Sequence, residues 1–436
     1  MTLLCVTPDY YSHYAPLAAA ATRWRVAGED VVFATGPALE DRVLKDGFSY
    51  VECALAPRSN PGLLYPGDLH ESELKRLQSN LLATRKGMVE TLRYQAENRL
   101  DDLFWEPGQV IERLESTLSD VRPDHVLSVQ LAYNATAALL ALRAPFASFV
   151  TGHPAQIPGR GELYGFPHVK PDRFEADSFD LEALANLCRD VQERFTTTFN
   201  RFVASVDRHA NPVSNGLAAS SPWLILHNYP SEIGEYRRPM LPSQARFVGA
   251  VIRDEELDCD ACRWLEMADQ STPVVLISFG SFFSLRTDVL QRVTDALGPG
   301  PFRVVIATGA ADAKALALPS DWYASAYLPQ VALLEHCDLV ITHGGNNTVQ
   351  EALSAGVPLL VGPFSSDQFA GAADIERSGL GAIFDPNEST PSEIRFLAER
   401  ALGARSTVHA VGRRLHSSPG AALVRSHMIS RFGRAV

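Results

Sequence analysis

The amino-acid sequence predicts an α/β protein with two parallel-sheet domains, and three observations carry that expectation. The chain has 436 residues, more than one hydrophobic core ordinarily organises, so two domains of roughly 200 residues each are expected. Short apolar runs alternate with segments of helical periodicity through both halves, which is the rhythm of β-α-β units with right-handed crossovers. Hydrophobic residues make up 46% and charged residues 21% of the chain, enough apolar material for two sizeable cores.

In chain order, "LLCVTP" reads as a short buried strand, "PLAAAATRWRVAG" as a helix ending at Gly28, "DVVFAT" as the next strand and "SYVECAL" as a third. A long helical stretch follows from about Leu69 to Leu118, where Leu74, Leu77, Leu81 and Leu82 recur at three- and four-residue spacing. "RPDHVLSV" resumes the sheet, "ATAALLAL" is a helix and "PFASFV" a further strand. The segment "TGHPAQIPGRGELYGFPHVKPD" is rich in Gly and Pro, and a loop of that length is uncommon unless it serves a function. A second α/β unit begins near "WLILHNY" and "ARFVGAVI" and runs through "PVVLISFGS", "FRVVIATG", "DLVITHGG", "PLLVGP" and "GAIFD". Periodicity breaks at "YPSEIGEYRRPMLPS". The expected organisation is therefore a first domain over 1–230, a linker over 231–242, a second domain over 243–415, and a C-terminal amphipathic helix over 416–436 packing back on the first domain.

A formal charge of −12 and an isoelectric point near 5.5 exclude a broad nucleic-acid footprint, which needs a basic face. They leave room for a small anionic ligand at a helix terminus. The six cysteines, Cys5, Cys53, Cys188, Cys259, Cys262 and Cys337, are scattered and suggest no disulfide framework. Cys259 and Cys262 form one C-x-x-C pair, but a structural zinc site needs further ligands nearby, so no metal is expected. "MTLLCVTPDYY" lacks the charged and apolar regions of a signal peptide, and no run approaches the ~20 apolar residues that span a bilayer. A cytoplasmic protein is expected, as a monomer or homodimer.

The chemistry concentrates in "DLVITHGGNNTVQEALSAGVP". A strand ends near Thr342 and a helix starts near Asn346. Its unpaired N–H groups and positive dipole end form a ready anion site, although a Gly-Gly pair after a strand also serves as a plain tight turn. Gly344 and Gly345 allow close backbone approach, and Asn347 and Thr348 add side-chain donors. Glu351 lies five residues on, about 7 Å along the axis at ~1.5 Å per residue, a distance that suits a ribose diol beyond a diphosphate. Gly280 and Ser281 end another strand, where a hydroxyl and an N–H could meet the same phosphates. Tyr327 by itself reads as a surface aromatic but offers a face for a base, the Val331 backbone could read its edge, and Asp367 with Gln368 suits sugar hydroxyls; Asp367 equally suits a helix cap.

The run "LPQVALLEHCDLVITHGGNNTVQEALSAGVPLLVGPFSSDQ", Leu328 to Gln368, resembles the donor-binding signature of the nucleotide-sugar-dependent (UDP-) glycosyltransferases, which include plant secondary-product and bacterial natural-product enzymes. Pro-Gln, His, Gly, Asn-Thr, Glu, Gly-Val-Pro and Asp-Gln all fall in the family's order. The resemblance covers most of the second domain and, more weakly, the first. It implies the GT-B architecture, two facing Rossmann-like domains with an interdomain cleft, the donor on the C-terminal domain and the acceptor in the N-terminal one. It also implies that Tyr327 stacks the base, that Gln330 and Val331 lie against base or ribose, and that His343, Gly345, Asn347, Thr348 and Ser281 hold the diphosphate. Glu351 would hold the ribose hydroxyls, and Asp367 and Gln368 the transferred sugar. Asn346 stands where plant members carry tryptophan. A carboxylate at Glu351 is similar to what UDP-sugar users carry, so a UDP-sugar is expected in preference to a dTDP-sugar.

The same resemblance makes His13, a few residues before Pro16 in the first helical turn, the general base that deprotonates the acceptor. Family members often pair this histidine with an aspartate at the end of the strand near "RPDHVLSVQL", where this chain has Val129–Gln130; Asp9 is one candidate replacement. His153 is an expected acceptor contact. The expected activity is metal-independent, inverting hexosyl transfer from a nucleotide sugar to a small, largely apolar acceptor such as a bacterial specialised metabolite. Two other readings stand beside it, a nucleotide-sugar epimerase on the same fold and a non-catalytic auxiliary relative.

Overall fold

Two parallel sheets, each covered by helices, make up the computed structural model, which describes residues 1–63, 65–98, 100–267, 271–298, 300–316, 318–417 and 419–433. The first sheet contains β1 (Thr2–Val6), β2 (Asp30–Thr35), β3 (Ser49–Glu52), β4 (His125–Val129), β5 (Ala147–Val150), β6 (Leu224–His227) and β7 (Ala245–Phe247). Its order is β3-β2-β1-β4-β5-β6-β7. The second contains β8 (Val274–Ser278), β9 (Arg303–Ala307), β10 (Tyr323–Ser325), β11 (Leu339–Thr342), β12 (Leu359–Val361) and β13 (Gly381–Ile383), in the order β10-β9-β8-β11-β12-β13. The central strands β4, β8 and β11 are buried along their whole length. Strands covered on both faces have no polar side to show, which is why they read as continuous Val/Ile/Leu runs rather than alternating ones.

The division between the sheets differs from the expected one. β7 pairs with β6 through Ile225↔Ala245 and His227↔Phe247, so "WLILHNY" and "ARFVG" both belong to the first sheet. Residues 231–242, expected as the linker, instead form the short helical turns Ser231–Gly234 and Glu235–Met240 that join β6 to β7. The crossing from one sheet to the other runs between Phe247 and Val274. A three-residue edge strand is too short for periodicity to assign it to either neighbour.

The stretch expected as helical from Leu69 to Leu118 is broken into the helices Glu71–Arg85, Met88–Asn98, Leu100–Leu103 and Pro107–Val121; residue 99 lies outside the described residues. At the C-terminus the helix Gly420–Phe432 lies against the first helix, Tyr11–Val26, with Val424 and Met428 buried beside Leu17 and Trp24. Arg425 clamps that contact to Glu29 at 2.8 Å. Of the segment expected over 416–436, residues 418 and 434–436 lie outside the described residues.

Pro16 corrects a local expectation. The first helix begins at Tyr11, so the proline sits in its second turn, where it has no N–H to give to the Ser12 carbonyl. Asn347, from the second domain, donates its Nδ2 to that carbonyl at 2.8 Å. The helix defect thus becomes an interdomain contact. Others join the same interface: Asn346 Nδ2 donates to the Thr151 and Asn228 carbonyls at 2.6 and 3.0 Å, and Arg286 Nη1 donates to Thr84 Oγ1 at 2.9 Å.

Candidate active site between the two sheets

Ligands of parallel α/β sheets sit at the carboxyl ends of the strands, and here those ends from both sheets meet across a cavity of about 680 Å³. His13, Gly280, Ser281, Tyr327, Gln330, His343, Gly345, Asn347, Thr348, Glu351, Asp367 and Gln368 all line it. Val331 and His153 do not. Residues more than 300 positions apart in sequence therefore line one cavity.

The corner after β11 is built by close packing. Gly344 has φ +81°, and a Cβ there would lie 2.7 Å from Val361 Cγ1. A Cβ on Gly345 would lie 2.5 Å from His343 Nε2. With Gly345 as N-cap, the helix Asn346–Ala355 starts at the cavity with no side chain capping its first amides, which leaves those donors directed toward whatever occupies the space. Burial pulls the His343 imidazole down to about 4, against the raising effect of its hydrogen bond to the Ser278 backbone, so at neutral pH the ring is uncharged.

That burial makes a testable contribution to stability. Unfolded His343 takes up a proton near its ordinary value of 6.5, while the folded ring refuses it until about 4. Below 6.5 the unfolded chain binds more protons, so stability falls as pH drops through that interval and stops falling below about 4. Denaturant melts from pH 7 to 4 should show a wild-type slope steeper than that of His343→Asn by up to about 1.4 kcal/mol per pH unit. Equal slopes would mean the folded ring is readily protonated.

Farther along the same helix, Glu351 is buried and accepts hydrogen bonds from Arg253 Nη1 at 2.5 Å and Gln330 Nε2 at 2.6 Å. Burial raises its carboxyl above the usual range, against the lowering pull of Arg253. Gln330 Nε2 also lies 3.0 Å from Thr348 Oγ1. The Val331 N–H donates to Glu255 Oε2 at 2.8 Å, and the Tyr327 hydroxyl to Glu255 Oε1 at 2.7 Å. Ser281 Oγ accepts from Asn60 Nδ2 across the cleft at 3.3 Å.

Asp367 takes the N-cap position of the helix Gln368–Arg377 but makes no side-chain cap. Its Oδ2 accepts instead from the His153 N–H, in the other domain, at 2.7 Å. Gln368 Oε1 accepts from the Phe364 and Ser365 amides at 3.0 and 3.1 Å.

On the first-domain wall, His13 Nδ1 lies 2.8 Å from Thr151 Oγ1. Thr151 follows β5 and is buried. It occupies the place beside the imidazole for which an aspartate after β4 was sought. Gln130, at that β4 end, is spent on Gln156 and the Ala219 carbonyl at 2.7 and 3.2 Å. Asp9 is buried next to Gly36, its carboxyl raised by that burial and its Oδ1 without a hydrogen-bond partner.

His153, expected as an acceptor contact, belongs to the domain interface instead. It is 1% exposed; Nδ1 accepts from the Ala155 N–H at 3.0 Å, so Nε2 carries the proton facing Asp374 Oδ2 at 2.9 Å. The Tyr229 hydroxyl and Arg377 Nη2 reach the same carboxylate at 2.7 Å each. Its sequence neighbours Thr151 and Gly152 line the cavity while its ring turns into the second domain.

Sequence reasoning missed Thr151, Asn60, Arg253 and Glu255. Thr151 ends a recognisable strand and could have been found by asking which polar residue follows each one. Arg253 and Glu255 sit in "VIRDEELD", which has no periodic signal.

Residues 182–396 match the family model described as UDP-glucoronosyl and UDP-glucosyl transferase. The chain is similar to this glycosyltransferase family over that segment, just under half of its length. Among curated relatives, the NDP-glycosyltransferase YjiC of Bacillus licheniformis is 31% identical over 131 residues, 30% of this chain and 33% of that one. The 4'-demethylrebeccamycin synthase of Lentzea aerocolonigenes is 30% identical over 177 residues, 40% of this chain and 42% of that one. These matches span only a third to two-fifths of the relatives' length. Among solved structures, the glycosyltransferase VinC in complex with DTDP aligns over 100% of both chains with a TM-score of 0.66 at 18% identity. The glycotransferase of kitacinnamycin aligns over 98% of both with a TM-score of 0.68 at 18% identity. The two-domain GT-B fold is common to them and to this chain.

Proposed function

We propose that this chain is a glycosyltransferase that moves a sugar from a nucleoside-diphosphate sugar to a small, largely apolar acceptor, with inversion at the anomeric carbon. One observation carries the reading: a single cavity has His13 on its first-domain wall and the open start of the helix Asn346–Ala355 on the other. In the tautomer that donates Nδ1–H to Thr151 Oγ1, Nε2 of His13 is the base. It takes the acceptor's proton as the acceptor oxygen bonds the anomeric carbon and the bond from that carbon to the diphosphate oxygen breaks. Charge that builds on the leaving diphosphate meets the helix amides and the Ser281 hydroxyl, donors held in position before the reaction begins. No metal is required for that load. Asp367 and Gln368 face the transferred sugar.

Leu63, Leu131, Leu163, Tyr164, Phe166 and Val169 line the remaining cavity, which supports an apolar acceptor. The relatives named for rebeccamycin and for lactenocin, the latter the demethyllactenocin mycarosyltransferase of Streptomyces fradiae, favour a bacterial specialised metabolite. Glu351 favours UDP, since its carboxylate suits a ribose diol. A dTDP donor is the second reading, favoured by the DTDP complex of VinC and by the engagement of both Glu351 oxygens within the protein.

Mass spectrometry of products from a panel of UDP- and dTDP-sugars and aglycones, with chelator present, tests the proposal. A glycosylated product of inverted anomeric configuration is expected. Donor turnover without acceptor would favour an epimerase. Calorimetry that finds no affinity for either nucleotide would favour a non-catalytic relative.

A further inference from the structure

The four groups assigned to the nucleoside half of the donor are Tyr327, Gln330, the Val331 N–H and Glu351, and two side chains from one short segment dominate their contacts. Glu255 takes both the Val331 N–H and the Tyr327 hydroxyl, at 2.8 and 2.7 Å. Arg253 takes Glu351 Oε1 at 2.5 Å, and its Nη2 lies 3.3 Å from Glu255 Oε2. A carboxylate oxygen on a backbone N–H does what a pyrimidine carbonyl would do there. A guanidinium on Glu351 satisfies the carboxylate that a ribose diol would otherwise satisfy.

The segment is built to present this pair. It crosses from the first sheet to the second, and its start is tied down where the Val251 N–H donates to Asn228 Oδ1 at 2.8 Å. Its end is tied down where Asp258 caps the helix Cys259–Glu266 through the Ala261 N–H at 2.7 Å. Between those anchors the chain has no helix or strand bonding, and residues 253 and 255, two apart, reach the same wall as extended chain allows. The pair is not fully satisfied: Arg253 Nε is buried without a partner, which lowers what its displacement costs.

We infer that Arg253 and Glu255 are internal competitors for the nucleoside subsite, affinity-determining residues that the base and ribose must displace. The inference rests on the donor-site reading above. It assigns the domain-crossing segment a function beyond connection: donor binding exchanges an intramolecular carboxylate for a pyrimidine carbonyl, and leaves the Arg253 guanidinium at the cavity wall.

Calorimetric titration of the full chain with uridine and UDP, and with thymidine and dTDP, tests this in wild type, Glu255→Ala and Glu255→Gln. The alanine variant should bind the preferred nucleoside and its diphosphate at least about tenfold more tightly, by similar factors, because the competing carboxylate lies on the nucleoside half. The glutamine variant keeps an oxygen for the Val331 N–H and should gain less. Thermal melts establish that each variant is folded, and the glutamine variant stands in if the alanine one is not. Unchanged or weaker affinity in a folded variant overturns the inference while leaving the donor site intact. So does a gain confined to the diphosphates, which would report only a lost negative charge. If none of the four ligands binds wild type or variants, the donor-site reading falls and this inference with it.

Discussion

Replacing His13 by alanine should lower turnover by about 10²–10⁴-fold, the usual range for removing a general base, with nucleotide affinity nearly unchanged. The separation of the two effects follows from position. His13 lies in the first turn of the first helix, on the wall opposite the groups assigned to the diphosphate, so its loss removes proton transfer and leaves the donor contacts in place. Stopped assays of product formation beside calorimetric titration of the nucleotide would measure both. Full turnover in the variant would remove His13 from the mechanism. A companion substitution isolates the ring's support. Thr151→Val keeps the shape but loses the hydroxyl at 2.8 Å, and should lower turnover by no more than about tenfold, as expected for one neutral hydrogen bond of ~1 kcal/mol. A hydroxyl orients imidazole but does not balance the imidazolium charge as a carboxylate would, so its removal costs less than removal of the base.

Gly345→Ala should weaken nucleoside-diphosphate binding by about 100-fold. The added Cβ would meet His343 Nε2 at 2.5 Å, closer than real contacts allow. On one side the ring packs against Phe283, with centroids 5.6 Å apart, which limits its retreat there. The backbone must turn instead, which swings the first amides of the helix Asn346–Ala355 away from the cavity. Losing two charge-assisted bonds at ~1.5 kcal/mol each amounts to ~3 kcal/mol, or about two factors of ten. Circular dichroism should remain that of the wild type, because both sheets are untouched. Retained affinity would mean the diphosphate does not rest on this corner.

The legible parts of the molecule were those whose signal is local. "DLVITHGGNNT" announced a strand, a glycine corner and a helix start, and each is where the periodicity put it, because an apolar run, positive φ and an open helix terminus are properties of consecutive residues. The same locality explains the errors. "ARFVG" reads as a strand, yet only its pairing with β6 shows that it belongs to the first sheet. Pro16 looked like a first-turn proline because nothing in the sequence marks Tyr11 as the helix start.

By itself the sequence determined the α/β class, the two-sheet organisation and the glycine corner that carries His343, Gly345, Asn347 and Thr348, since hydrophobic period and turn chemistry act over a few residues. Only the tertiary structure decided that Thr151 lies beside His13, that His153 is committed to Asp374, and that Arg253 and Glu255 sit against Glu351, Tyr327 and Val331. Those contacts join residues 72 to 221 positions apart. Which polar groups meet across a cleft depends on how two separately folded sheets dock, a relation that no stretch of consecutive residues encodes.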